Sequence, residues 1–137
     1  MLTRSKLILD TNVISYIFDQ KPEALFFKPF LKGSTVFTTF IRVAEVYHGV
    51  FKDNWGEKRI ESLEAYLSKY AILPFVNSLC LTWAKIKTES DRIAHPISDS
   101  DCWIAACARY YQMPLLTNNW RHFQYVKDIE IISPNFN

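Results

Sequence analysis

The stretch Leu7-Ile8-Leu9-Asp10-Thr11-Asn12 decides the fold of this chain, because a short apolar run ends there on a carboxylate. Three bulky aliphatic residues are too few for a helix of their own, and they predict a strand that is buried on both faces. Asp10 then lies at the carboxyl end of that strand, which is the edge where open α/β sheets bind their ligands. A simpler interpretation is that Asp10, Thr11 or Asn12 only caps the following helix.

Beyond this stretch, short apolar runs alternate with segments whose apolar residues recur at helical spacing. Strands are predicted at 35–38, 72–75, 115–117 and 129–132, and helices at 13–18, 22–31, 40–51, 57–70, 77–93 and 102–108. Asn77 or Ser78 is the predicted N-cap of the fifth helix. Such alternation is typical of a parallel sheet covered by helices on both faces. We therefore predict an α/β sandwich that brings residues following different strands to one edge.

The composition is that of a chain with one dense core. With 137 residues, 49% of them hydrophobic and 15% aromatic, it is expected to form a single domain over residues 1–137. This hydrophobic and aromatic content, together with only three glycines, excludes a disordered or low-complexity chain. The net charge is +2 and the sixteen lysines and arginines form no run, so charge permits a nucleic-acid ligand without indicating one.

The cysteines and the apolar segments favour a cytoplasmic protein. Cys80, Cys102 and Cys107 are odd in number, and two of them lie in one apolar helical run, so we interpret all three as reduced core residues. The apolar run before Asp10 is too short for a signal sequence, and no apolar stretch approaches the length that spans a membrane.

Glu45 is the second candidate carboxylate and lies in the helix predicted at 40–51. It falls off the apolar positions of that helix, which are Phe40, Val43, Ala44, Tyr47, Val50 and Phe51. Gly49 follows one turn later, and because glycine costs a helix about 1 kcal/mol, it predicts open space beside the carboxylate. The alternative is a solvated glutamate that pairs loosely with Arg42 or His48.

Asp101 is the third candidate and stands directly before the apolar run 102–108. A helix with seven successive apolar residues is buried nearly all round, so a carboxylate at its start is held against the core. The alternative is that Ser98 and Asp101 form a capping box, since acids also favour the first turn of a helix.

Three carboxylates at one sheet edge repel each other unless a proton or a divalent cation is bound. Oxygen ligands select Mg²⁺ or Mn²⁺, and the three histidines, His48, His95 and His122, lie far apart and outside any zinc pattern. An oxygen-bound Mg²⁺ suits phosphate chemistry, because it activates water and neutralises developing charge.

Four segments carry a resemblance to a known family. They are residues 7–12 (LILDTN), 43–49 (VAEVYHG), 101–106 (DCWIAA) and 115–123 (LLTNNWRHF). Each motif is weak alone, but in this order and spacing they resemble the PIN-domain family, and specifically the VapC toxins of bacterial and archaeal toxin–antitoxin pairs. The resemblance covers nearly the whole chain.

This resemblance implies a PIN-like three-layer sandwich with a five-stranded parallel sheet, and a Mg²⁺- or Mn²⁺-dependent endoribonuclease. Asp10, Glu45 and Asp101 match the metal-binding acids of the family. It also implies an RNA substrate, a homodimer, and a cognate antitoxin that lies over the acidic groove and inserts a basic side chain.

Five further residues are expected to support this site. Thr11 and Asn12 belong to the first motif, and Asn119 is the nearest match to a fourth acid that the family often has after the fourth strand. Asn119 is neutral, so Asp99 could substitute for it from a neighbouring loop. The alternative for Asn119 is plain turn chemistry. Arg121, like the neighbouring His122, could contact phosphate, although isolated basic residues are more often surface residues.

Two other enzyme classes built on small α/β domains do not fit this sequence. A phospho-receiver domain requires an acid after the third strand, where Pro74 and Phe75 stand, and the Asp-x-Asp phosphatase pattern fails at Asn12. A non-enzymatic alternative is a catalytically weak PIN-like module that binds RNA or protein. The aromatic residues Phe26, Phe27, Phe30, Trp55 and Tyr66 either fill the core or form part of a dimer face.

Overall fold

The computed structural model describes residues 5–136 and contains a five-stranded sheet in which all neighbouring strands are parallel. The strands are β1 (Lys6–Leu9), β2 (Thr35–Thr38), β3 (Ala71–Ile72), β4 (Leu115–Leu116) and β5 (Ile131–Ile132). Their order across the sheet is β3-β2-β1-β4-β5, which puts the first predicted strand at the centre. The single domain expected over 1–137 extends at both ends beyond the described residues.

Helices cover both faces of this sheet. In the described part of the chain they are α1 (Thr11–Phe18), α2 (Ala24–Leu31), α3 (Phe40–Lys52), α4 (Glu57–Leu67), α5 (Asn77–Arg92) and α6 (Asp99–Tyr111). A short 3-10 helix, Trp120–His122, follows β4. The predicted α/β sandwich is confirmed. None of the helices within residues 5–136 is long and apolar enough to cross a membrane.

The alternation of side chains along β1 creates the two cores. Ile8 packs with residues of α5 and α6, whereas Leu7 and Leu9 pack with residues of α1 to α4 on the opposite face. All three aliphatic side chains are buried, so the prediction of a strand covered on both faces is confirmed. Burying each of them contributes roughly 1.5–3 kcal/mol to folding.

Several boundaries differ from those expected from the sequence. β3 covers 71–72 rather than 72–75, and Pro74 lacks the N–H that would continue the ladder. The predicted caps of α5 are wrong, because the apolar Val76 takes the N-cap position and Asn77 and Ser78 lie inside the helix. α6 begins earlier than the apolar run, because the Ser98 hydroxyl accepts a hydrogen bond from the backbone N–H of Asp101.

The predicted apolar face of α3 is confirmed at Val43, Tyr47 and Val50, which pack in the core, but not at Phe40 and Phe51. Phe40 is 52% exposed and Phe51 is 66% exposed, while Arg42 and Val50 are buried. Phe40 is accommodated at the surface because its ring packs edge-on against Phe75, with ring centroids 4.5 Å apart. The cysteine prediction is wrong at one position, since Cys102 and Cys107 are buried but Cys80 is exposed.

Candidate active site

The candidate site lies at the carboxyl edge of the three central strands. Asp10 follows β1, Thr39 follows β2 and Thr117 follows β4. The backbone N–H of Asp10 donates to the carbonyl of Leu116 over 3.0 Å, which ties the end of β1 to the end of β4. Parallel pairing therefore brings together residues that are distant in the chain.

Asp10 is buried, and its carboxylate serves two functions. It is the N-cap of α1, with Oδ1 accepting a 2.8 Å hydrogen bond from the backbone N–H of Thr11. The Thr117 hydroxyl donates to Oδ2 over 2.7 Å, and the Asn12 amide donates to the same oxygen over 3.4 Å. The capping interpretation is thus correct without excluding a site role, because the carboxylate also faces Arg42.

Asp101 projects from the first turn of α6, the most deeply buried helix. Its backbone N–H bonds the Ser98 hydroxyl over 3.1 Å, so the serine half of the predicted capping box is present. The Asp101 carboxylate is turned into the site instead, where Oδ1 is 2.6 Å from Nη2 of Arg42 and Oδ2 is 3.1 Å from Nδ1 of His122.

Glu45 approaches the same place from α3, with a side chain that is 41% exposed. Its Oε1 accepts hydrogen bonds from Nη1 of Arg42 over 2.9 Å and from the Ser100 hydroxyl over 2.5 Å. A Cβ added at Gly49 would meet nothing within 4 Å, so the open space predicted one turn after Glu45 is present. The pairing of Glu45 with Arg42, offered as the simpler interpretation, is present too.

Arg42 lies at the centre of the three carboxylates. α3 begins at the Thr39 N-cap, whose hydroxyl accepts the backbone N–H of Arg42, so the guanidinium is anchored in the first turn. Nε is 3.0 Å from Oδ1 of Asp10, within ion-pair distance but outside hydrogen-bond geometry. The remaining nitrogens bond Glu45 and Asp101, so one buried cation contacts all three candidate acids.

The charges of this cluster do not cancel. Burial of the guanidinium opposes its charge, but the carboxylate of Asp10, followed by Asp101 and Glu45, raises the pKa of Arg42 above its ordinary value. One guanidinium faces three carboxylates, so the cluster carries an excess of negative charge. The cluster therefore favours the binding of a further positive charge.

The five predicted supporting residues lie at different distances from this centre. The Thr11 hydroxyl is buried and has no hydrogen-bond partner among the described residues, and Asn12 Oδ1 accepts the backbone N–H of Asn118 over 2.9 Å. Asn119 is exposed and bonds the Thr117 hydroxyl through its backbone N–H. The other two predicted residues, Asp99 and Arg121, do not contact the acids. The Asp99 side chain is 77% exposed and pairs with Lys87, and Arg121 stacks over Trp120.

Four residues of the site were not selected from the sequence as site residues. Arg42 contacts all three acids, and Ser100, Thr117 and His122 each contact one of them. A signal existed for Arg42, because it lies three residues before Glu45 and eight before the buried Val50, on the same helix face. The sequence predicts His122 only as a phosphate contact, because a separation of 21 residues gives no sign of its contact with Asp101.

The side-chain oxygens of this site are of the type that binds a divalent cation. The guanidinium of Arg42 already provides a positive charge at the point where the acids meet. Carboxylate and hydroxyl oxygens surround this point, and oxygen ligands are what Mg²⁺ and Mn²⁺ require. Within residues 5–136, however, no group of three or more His, Cys, Asp and Glu side chains is spaced to hold a metal ion directly. The guanidinium of Arg42 lies between these carboxylates.

Comparison with known proteins adds independent information. The model of the PIN domain family matches residues 7–129. The Haemophilus influenzae protein named Ribonuclease VapC2 is 31% identical over 121 residues, which cover 88% of this chain and 92% of that protein. A Salmonella typhimurium protein named tRNA(fMet)-specific endonuclease VapC is 26% identical, covering 92% and 96%. A crystal structure of VapBC2 from Rickettsia felis, bound to a DNA fragment from their promoter, superposes with a TM-score of 0.82 at 25% identity, covering 93% of this chain and 98% of that one.

Proposed function

The chain belongs to the PIN-domain family, within its VapC group, and from this premise we propose that it is a Mg²⁺- or Mn²⁺-dependent endoribonuclease. The names of its relatives, ribonuclease and tRNA(fMet)-specific endonuclease, support hydrolysis of RNA phosphodiester bonds. One observation carries the proposal for this chain. Asp10, Glu45 and Asp101 come from three separate elements and all contact one buried cation, the guanidinium of Arg42.

Asp10, Glu45 and Asp101 would hold the metal ion. When bound, such an ion supplies activation of water for in-line attack and neutralises the charge that develops on the phosphate. The proposal therefore requires no side-chain nucleophile. Cys102 and Cys107 fit this view, because both thiols are buried and burial raises the pKa of each.

The neighbouring polar groups would orient the three acids. The Thr117 hydroxyl and the Thr11 backbone N–H bond different oxygens of Asp10. The Ser100 hydroxyl bonds Glu45, and His122 contacts Asp101. Such outer contacts fix the direction of carboxylate lone pairs, and their loss commonly weakens metal binding about 10- to 100-fold.

A cavity of about 370 Å³ extends from Asp101 and offers a path for the substrate. Asp101, Arg121, His122 and Tyr125 are among the residues that line it. Arg121 is exposed and stacks on Trp120, with Cζ 4.7 Å from the ring centroid. We place one strand of RNA along this cavity, with its backbone near the cationic side chain and the scissile phosphate beside Asp101.

The solved structures similar to this chain include VapBC complexes, which supports a cognate antitoxin as the partner and a toxin role for the chain. Self-association is also proposed, with α2 as its face. Leu25 is 70% exposed there, and Phe26 and Phe30 are exposed beside it, whereas Phe27 is buried in the core. Light scattering of the purified chain tests this part, and a monomer at micromolar concentration would contradict it.

A second function is favoured by one specific observation. The acids already have a cation in Arg42, and Asn119, which matches the fourth acid of the family, is neutral. These features suit a module that binds RNA or protein with little catalysis. Such a module would retain RNA affinity in EDTA and after substitution of Glu45.

The experiment that separates these functions is cleavage of total RNA and of a tRNA pool by the purified chain with Mg²⁺, Mn²⁺ or EDTA. Glu45→Gln and Asp101→Asn are the site variants, and Asp91→Asn, at an exposed position on α5, is the matched control. We expect cleavage that requires metal, is lost in both site variants and is retained in the control, with circular dichroism verifying folding. Cleavage that persists in EDTA, or RNA binding without cleavage, would overturn the nuclease proposal.

A further inference from the structure

The guanidinium of Arg42 lies where the three candidate metal ligands meet, at 3.0 Å from Asp10, 2.9 Å from Glu45 and 2.6 Å from Asp101. We propose that Arg42 is a resident cation of this acid cluster that a divalent ion must displace, and that it thereby sets the metal affinity of the chain. This inference rests on the proposed function only in taking these acids as the metal ligands. Arg42 is then a positioning residue for the metal site.

The carboxylate oxygens leave little room for an ion beside the guanidinium. Asp10 Oδ1 faces the Thr11 N–H and Nε of Arg42, and its Oδ2 accepts from Thr117 and Asn12. Each carboxylate oxygen offers about two lone-pair directions, so Oδ2 is fully hydrogen-bonded, and at Oδ1 the space beside the Thr11 N–H is filled by Nε of Arg42, 3.0 Å away. At Asp101, Oδ1 bonds Arg42 and Oδ2 contacts His122. A metal ion that binds Asp10 must therefore displace Nε of Arg42 from Oδ1, and one that binds Oδ1 of Asp101 competes with Nη2 of the same guanidinium.

The position of Arg42 argues against a direct contact with substrate. Its side chain is only 5% exposed, whereas Glu45 in front of it is 41% exposed. The first turn of α3 holds its backbone against the Thr39 cap. A phosphate that reached the guanidinium would have to enter through the carboxylates, which repel it. In this arrangement Arg42 acts on the acids rather than on RNA.

Charge favours the replacement of the Arg42 guanidinium by a divalent ion, whereas hydrogen bonding opposes it. A divalent ion brings one more positive charge than a guanidinium to three carboxylates, which favours exchange. Leaving the site deprives Arg42 of bonds to Glu45, Asp101 and Ser100, which opposes exchange. If the acids are free of Arg42 in about 1–10% of molecules, the apparent dissociation constant of the metal is about 10- to 100-fold higher than its intrinsic value.

The test is Mn²⁺ binding by isothermal titration calorimetry, at constant ionic strength and without RNA. Arg42→Met removes the charge at similar length, and Arg42→Lys keeps a charge that cannot bridge three carboxylates. The matched control is Arg59→Met, because Arg59 pairs with Asp19 and stacks on Trp55 at the surface.

We expect Arg42→Met to bind Mn²⁺ about 10- to 100-fold more tightly than the unaltered chain, with Arg42→Lys in between. Arg59→Met should bind like the unaltered chain. A merely structural Arg42 would give a different result, because its loss would disorder the acids and weaken the metal. Equal or weaker Mn²⁺ binding by folded Arg42→Met would overturn the proposal.

Arg42→Met leaves three carboxylates without a cation and can unfold in the absence of metal. Should that happen, Mn²⁺ is expected to restore its circular dichroism spectrum where NaCl of equal ionic strength does not, and failure to restore it overturns the proposal. Arg42→Lys is a second test of the proposal. If this variant binds Mn²⁺ no more tightly than the unaltered chain, the proposal is also overturned. Tight Mn²⁺ binding by Arg42→Met without RNA cleavage by any variant would reject the proposed nuclease and retain this inference.

Discussion

The hydroxyl of Thr117 donates a 2.7 Å hydrogen bond to Oδ2 of Asp10, although 107 positions separate the two residues in the chain. Both side chains are buried, and the same hydroxyl accepts the backbone N–H of Asn119 over 3.0 Å. This hydroxyl therefore connects the candidate acid after β1 to the loop after β4. The orientation of Asp10 depends on a strand pairing, not on its local sequence.

Thr117→Val tests this connection, because it keeps the side-chain shape and removes the hydroxyl. The variant removes one of the two donors to the buried Oδ2 of Asp10 and the acceptor of the Asn119 N–H, so we expect the free energy of unfolding to fall by about 1–3 kcal/mol, with weaker RNA cleavage. Urea denaturation measures the first effect. The control is Thr88→Val, whose exposed hydroxyl bonds Ala84 in its own helix, with an expected change within about 0.5 kcal/mol. Unchanged stability and cleavage in Thr117→Val would contradict this role.

Burial predicts that the acids differ in their effect on stability. The Asp10 side chain is 5% exposed and pairs with the equally buried Arg42, so Asp10→Asn is expected to cost about 3 kcal/mol. The Glu45 side chain is 41% exposed, so Glu45→Gln is expected to cost under about 1 kcal/mol. Both variants should lose cleavage. Equal urea midpoints for the two would show that burial is not what distinguishes them.

Ser98 is the N-cap of α6, whereas Ser78, which the sequence predicted as a cap, lies inside α5, so the two serines can be compared. Ser98→Ala removes the acceptor of the Asp101 N–H and is expected to lower the free energy of unfolding by about 0.5–2 kcal/mol. Ser78→Ala, inside α5, should stay within about 0.5 kcal/mol. Thermal or urea denaturation decides, and a larger loss for Ser78→Ala would reverse the assignment.

Thiol reactivity should distinguish the three cysteines. Burial raises the pKa of Cys102 to about 11 and that of Cys107 to about 12, whereas Cys80 is exposed. At pH 8 we expect a thiol reagent to modify one cysteine rapidly in the native protein and three in guanidinium chloride. Cys80→Ala should abolish the rapid native reaction. Rapid modification of two or more native thiols would contradict the burial of α6.

The raised pKa of Cys107 also predicts a loss of stability in alkali. Above the ordinary value of 9.0 the unfolded thiol releases its proton, while the folded thiol keeps it until about pH 12. The unfolded state then binds fewer protons, so this contribution is complete below about pH 9 and is lost as the pH rises to about 12. Cys107→Ala should show a shallower decline over that window in urea denaturation, and an identical decline would argue against this cause.

Much of the fold could be predicted from local patterns. The run at 7–9 predicted a strand covered on both faces, and β2 was predicted at the observed bounds. Burial of aliphatic residues dominates such segments, so composition and spacing suffice. Errors arose where a tertiary contact outweighed the pattern, as at Phe40, which packs on Phe75 at the surface and leaves the buried face of α3 to Arg42.

The candidate site was predictable in its acids but not in their surroundings. Asp10 was predicted because it follows a strand, and Asp101 because it stands at the start of a buried helix. Glu45 was predicted because Gly49, one turn later, leaves space beside it. The residues that contact these acids lie up to 107 positions away, as for Thr117. No spacing rule covers such separations, because sheet order decides them.

Hydrophobic periodicity and strand ends are local properties, so the amino-acid sequence was enough to predict an α/β sandwich and three carboxylates at one sheet edge. The buried arginine that joins those carboxylates could be identified only from the folded chain. Arg42 is a neighbour of Glu45 on its own helix, but its contacts with Asp10 and Asp101 exist because parallel pairing places β2 beside β1 and α3 against α6. A charge is tolerated at that depth only where three acids converge to bind it.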